Sequence, residues 1–171
     1  MQTTKIFKFF RNVLAAAGIA FVSCIIARVQ AQDASTAKAE SSPATMKADT
    51  EWDGVSVELT SVTRGQGDTI TIKFKYTNSG SKAAAFHESN YGFANIAPLV
   101  YYIDPKNKKK YTALKDSEGN YIVSPMQNIT LEPGASKSGW CTLPAPPADV
   151  TSITVFIPGA PPFEKVALAA P

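Results

Sequence analysis

The residues of this chain best suited to recognition crowd into one connection. Between Phe86 and Pro98 stand His87, Glu88, Asn90, Tyr91, Phe93 and Asn95, which bring an imidazole, a carboxylate, two amides and two aromatic rings into a short span. Amides beside aromatic rings suit a sugar or a peptide, and long connections in compact domains are often functional. His87, Asn90, Tyr91, Phe93 and Asn95 are therefore the expected ligand-binding set, although a plain crossing between sheets explains the same length of chain. His87 is the sole histidine. Beside Glu88 it has the chemistry of a general base, which makes a small hydrolase the catalytic alternative. A single histidine supplies no His-rich metal site, and a histidine that merely packs in the loop is the simpler reading. No catalytic residue, metal ligand or cofactor is expected.

Other motifs are weaker. Ser79-Gly80-Ser81-Lys82 matches S-x-x-K and Lys137-Ser138-Gly139 matches K-[ST]-G, two of the three marks of penicillin-binding serine enzymes. There the serine opens a helix in a large mixed domain, whereas Ser79 falls in a turn and no S-x-N element intervenes. Asp116, Glu118 and Asn120 alternate around Gly119 but lack the distal acid of a calcium loop, so an acidic turn is expected. Cys141 follows Trp140 in an apolar run and reads as a small buried hydrophobe. An exposed Cys141 would instead offer an intermolecular thiol.

The first 31 residues carry a different signal. Lys5, Lys8 and Arg11 precede an apolar stretch from Asn12 to Ala27, and Val29-Gln30-Ala31 fits a leader-peptidase site. This is the pattern of a secretory signal peptide, 1–31, too short for a comfortable membrane span. The expected location is periplasmic or secreted, with lipidation at Cys24 as the alternative. Removing the leader's four basic residues from 17 leaves 13 against 14 acids. A near-neutral mature chain makes no electrostatic case for nucleic acid or an anionic membrane. The exception is the run Lys106, Lys108, Lys109 and Lys110, best read as a solvated hairpin tip that guards an edge.

Residues 32–50 are rich in Ala, Ser, Thr, Lys and Glu and show no apolar period. They read as a flexible linker, and a single domain is expected over 51–169. Val55, Val57 and Leu59 alternate with polar residues, as do Ile70, Ile72, Phe74 and Tyr76, which predicts a hairpin with one wet face. Further short strands are expected at 99–103, 110–114, 121–123, 128–131, 137–143, 151–157 and 164–168, separated by Asp-Pro, Glu-Pro-Gly and Pro-Pro turns. Prolines and β-branched residues arrive too often for helices. Seven to nine such strands predict an all-β, immunoglobulin-like antiparallel sandwich, with a closed barrel as the alternative.

Particular residues carry a resemblance. Tyr101-Tyr102-Ile103-Asp104-Pro105, Lys110-Tyr111 and Lys115-Asp116-Ser117-Glu118-Gly119 resemble the central hairpin of an immunoglobulin-like module of bacterial envelope proteins. Leu131-Glu132-Pro133-Gly134, Trp140, the corner from Pro144 to Val150, Ile157-Pro158-Gly159 and Pro161-Pro162-Phe163 extend it across Trp52 to Leu168. That module is sometimes joined to an outer-membrane-protein-A-like domain that grips peptidoglycan. No such domain follows here, so peptidoglycan anchoring is not expected. The resemblance implies fold and compartment, and no agreed activity. The expected function is an exported, non-catalytic binding or accessory module whose partner is an envelope protein or glycan. An inhibitor or chaperone-like partner working through a sheet edge is the alternative.

Overall fold

Strand β2 (Val55–Arg64) and strand β3 (Thr69–Asn78) form the predicted hairpin in the computed structural model, which describes residues 45–86 and 95–168. Val55, Val57 and Leu59 turn one face inward and are at most 3% exposed. Strict alternation would then bring Ser61 and Thr63 inward and leave Val62 in water. A bulge between Leu59 and Ser61 prevents this, because Thr60 has no partner on β3 and the phase shifts by one residue. Val62 is thereby buried opposite Ile72. Strand β2 thereby continues to Arg64.

Strand β1 (Met46–Asp49) pairs antiparallel with β2, and β8 (Ser136–Pro144) pairs with β3, giving the order β1-β2-β3-β8. A second antiparallel sheet has the order β10-β9-β5-β6, from β5 (Tyr101–Asp104), β6 (Lys109–Thr112), β9 (Ser152–Phe156) and β10 (Phe163–Ala167). Strands β4 (Ala84–Ala85) and β7 (Thr130–Leu131) make a small separate pair. Among the described residues the fold is all-β and antiparallel, as expected, with ten strands rather than seven to nine. The additions are β1 and β4. Met46–Asp49 lies inside the segment expected as a linker, while Tyr121–Val123 forms only isolated bridges. The leader, Cys24 and the linker up to residue 44 lie outside the described residues.

Buried side chains from both sheets join one apolar core, led by Phe74, Tyr76, Cys141 and Leu143 from the first and Tyr102, Ile153, Val155 and Phe163 from the second. Two tyrosines tie the sheets together. Tyr76 of the first donates its hydroxyl to the Pro158 carbonyl at 2.7 Å, beyond the end of β9. Tyr102 of the second donates to the Pro144 carbonyl at the end of β8, also at 2.7 Å. Each ring is completely buried with its polar tip paired, which is the condition for placing a tyrosine in a core. Arg64 fixes the proline corner by donating to the carbonyls of Pro146, Pro147 and Val150 at 3.0–3.3 Å.

Sequence-predicted turns hold through side-chain acceptors. Buried Asp104 receives the Lys106 and Asn107 amides at 3.0 and 3.1 Å and the Asn107 side chain at 2.7 Å. Asp116 similarly receives the Glu118 and Asn120 amides, each at 2.9 Å. The hydrogen bonds led by Asn120 hold the Asp116 carboxyl below its ordinary range.

Candidate functional site

The predicted ligand-binding residues follow Phe86 in sequence, and Phe86 belongs to an aromatic base. Phe86 is completely covered, with its amide donating to the Ile129 carbonyl at 2.9 Å. The Trp52 ring lies parallel to it at 4.2 Å, and Tyr76 meets both rings edge-on, at 5.8 Å from Trp52 and 4.9 Å from Phe86. Such arrangements add packing energy beyond area alone and fix ring orientations. Gly159 abuts Trp52 so closely that a Cβ there would overlap the indole. The Glu51 amide donates to the Gly159 carbonyl at 2.7 Å, so the β1–β2 and β9–β10 turns share this end of the domain.

Asn78 organises the turns around that base. Its side chain is buried, donates to the Lys82 and Leu131 carbonyls at 2.8 Å each, and accepts from the Gly80 amide at 2.9 Å. Its main chain bonds Ala135 and Gly134. Asn95 performs a comparable task where the connection returns. Its Oδ1 accepts from the Ala97 amide at 3.0 Å and the Met126 amide at 3.2 Å, and it bridges to Gln127. Of the five predicted ligand-binding residues, Asn95 therefore has its amide oxygen committed to the backbone. His87, Asn90, Tyr91 and Phe93 lie outside the described residues.

Beside the aromatic base lies an open depression of about 640 Å³, lined by Lys47, Asp49, Glu51, Trp52, Asp53 and Ser56, with Ser79 from the neighbouring turn. Three exposed acids face one lysine, which makes the concavity negative. At its floor, Ser56 is only 6% exposed, and its hydroxyl has no hydrogen-bond partner among the described residues. The register explains the orphan. Ser56 stands between Asp49 on β1 and Thr77 on β3, but the Thr77 hydroxyl is shared with Ser136 at 2.9 Å. A buried hydroxyl without a partner costs about 1–3 kcal/mol. The sequence does not announce this site, because Met46–Asp49 reads as linker yet forms β1. The signal was the alternation of Asp49, Glu51 and Asp53 around Trp52.

The other chemical candidates have structural roles. Ser79 lies in the predicted turn, its amide bonded to the Gly54 carbonyl at 2.8 Å. Gly139 of Lys137-Ser138-Gly139 is on β8, where a Cβ would come within 2.6 Å of the Phe74 ring. Cys141 is fully covered, and burial pushes its thiol up to about 12, far from a reactive thiolate. Of the hairpin lysines, Lys106 pairs with Asp149 and lowers that carboxyl's pKa. Lys110 sits 3.7 Å over the Tyr101 ring, which stacks on Phe156 at 4.5 Å. Among the described residues no three His, Cys, Asp or Glu side chains are grouped to hold a metal ion, and no helix is long and apolar enough to cross a membrane.

Comparisons with family models, with curated proteins and with solved structures find no match to this chain.

Proposed function

We propose that this chain is an exported, non-catalytic binding or accessory module of a bacterial envelope, built on an immunoglobulin-like sandwich. Export rests on the pattern of residues 1–31. The orders β2-β3-β8 and β10-β9-β5-β6 support the immunoglobulin-like reading, because they match the A-B-E and G-F-C-C′ strands of that architecture. In that correspondence the 86–95 connection is the B–C loop, which in binding members of the architecture carries recognition residues.

One observation carries the binding role. The connection bearing His87, Asn90, Tyr91 and Phe93 starts on the Trp52–Phe86–Tyr76 stack and ends on Asn95, so its anchors are fixed on both sides. Fixed anchors on either side of a segment rich in amides and rings suit recognition of a glycan or an extended segment of an envelope protein.

Retention on envelope extract and on purified envelope glycans tests this reading. The unaltered chain retains a defined partner, whereas Tyr91→Ala/Phe93→Ala loses retention by about tenfold or more with an unchanged melting curve. Equal retention by both proteins would overturn it.

A further inference from the structure

We propose that the depression between β1 and the β1–β2 turn is a subsite for an arginine or lysine side chain of an extended peptide. The inference rests on the reading of this end of the domain as its binding end. Two independent observations meet here. Asp49, Glu51 and Asp53 are exposed around the concavity, with Lys47 the only opposing charge on its lining. Beneath them the Ser56 hydroxyl is buried and has no partner among the described residues. A guanidinium or ammonium brings both the positive charge that the acids lack and an N–H donor for the orphan oxygen.

A metal ion fits less well, since the acids do not group as a ligand set among the described residues. A free polyamine offers the same charge, but the position of the site favours a peptide. Strand β1 ends its sheet in the order β1-β2-β3-β8, and Lys47 and Asp49 on that strand also line the depression. An extended segment that pairs with this edge carries alternate side chains toward one face, where the acids wait. The edge supplies main-chain affinity, and the depression selects a cation.

The test uses the mature chain and an acetylated, amidated (Gly-Arg)3 peptide, with the neutral citrulline analogue and spermidine as separate arms. Binding is read from amide chemical shifts of residues 47–56 and from Trp52 emission in a Trp140→Phe background. The arginine peptide saturates both signals and binds at least about tenfold more tightly than either comparator. Asp49→Asn/Glu51→Gln/Asp53→Asn weakens it by about tenfold or more, and Ser56→Ala weakens it several-fold without lowering the melting temperature. No saturable response, equal binding of the citrulline peptide, or an unaffected triple variant would overturn the cation subsite. Equal binding of spermidine would overturn the peptide assignment. Loss of the subsite with envelope retention intact removes this inference alone, whereas intact peptide binding without envelope retention removes the envelope-module reading.

Discussion

At the scale of single residues, three positions make opposite demands on a substitution. Gly139 is required because its missing Cβ leaves room for Phe74, so Gly139→Ala lowers stability by about 1–3 kcal/mol in urea unfolding. Ser56 is the reverse case. Its side chain has nothing to lose, so Ser56→Ala leaves the free domain equally stable or more stable, and a drop above about 1 kcal/mol would mean that the hydroxyl has a partner after all. Cys141 sets a pH dependence. Its thiol is raised from an unfolded value near 8.5 to about 12 by burial, so the unfolded chain releases a proton that the folded chain keeps. Its contribution is complete below the unfolded pKa and falls as pH rises toward 12. Cys141→Ala, measured by urea midpoints between these limits, therefore loses less stability with rising pH than the unaltered chain. The burial of Cys141 was legible from its place after Trp140 in an apolar run, whereas the demands of Gly139 and Ser56 were not. A glycine and a serine on a mixed strand look alike until their neighbours are known.

At the scale of elements, the sequence showed the period but not its interruption. Strand β3 was readable because its apolar residues alternate without a break, and the Asp104 and Asp116 turns because their carboxylates serve amides a few residues on. The Thr60 bulge was hidden, since the spacing from Leu59 to Val62 makes sense only once the pairing with Phe74 and Ile72 is known. Deleting Thr60 removes the unpaired residue while Leu59, Ser61 and Val62 keep Phe74, Lys73 and Ile72 as partners, so Val62 stays inward. The expected result is a cooperative urea transition close to that of the unaltered chain, and loss of cooperative unfolding would overturn the phase-correcting role given to the bulge. Strand β1 was missed because Met46-Lys47-Ala48-Asp49 has too little apolar surface to announce itself and depends on the ready-made edge of β2. The same omission concealed the acidic depression. Of the candidate site, the loop was legible from its composition, whereas the anchoring role of Asn95 emerges only from its bonds to Ala97 and Met126.

At the scale of the whole molecule, two tyrosine hydroxyls reach between the sheets, at Pro144 and Pro158. Removing either leaves a carbonyl without its donor, so Tyr76→Phe and Tyr102→Phe each cost about 1–3 kcal/mol in thermal or urea unfolding. The two differ in their reach. Tyr76 also belongs to the aromatic base, so its loss should disturb amide signals near Trp52 and Phe86, while the Tyr102 change leaves that end intact. The proposed export has its own measurement. Mass spectrometry of the chain recovered from the envelope fraction is expected to find a mature start at Gln32, and a lipid on Cys24 would overturn the proposed cleavage after Ala31.

The concealment of Cys141 has a kinetic consequence. Among the described residues this sulfur is the only thiol, and no reagent reaches it while the sheets remain closed. The rate at which a small alkylating agent modifies it therefore counts the openings of the domain. The folded protein carries its own clock for transient exposure of its interior, readable without denaturant or an attached dye.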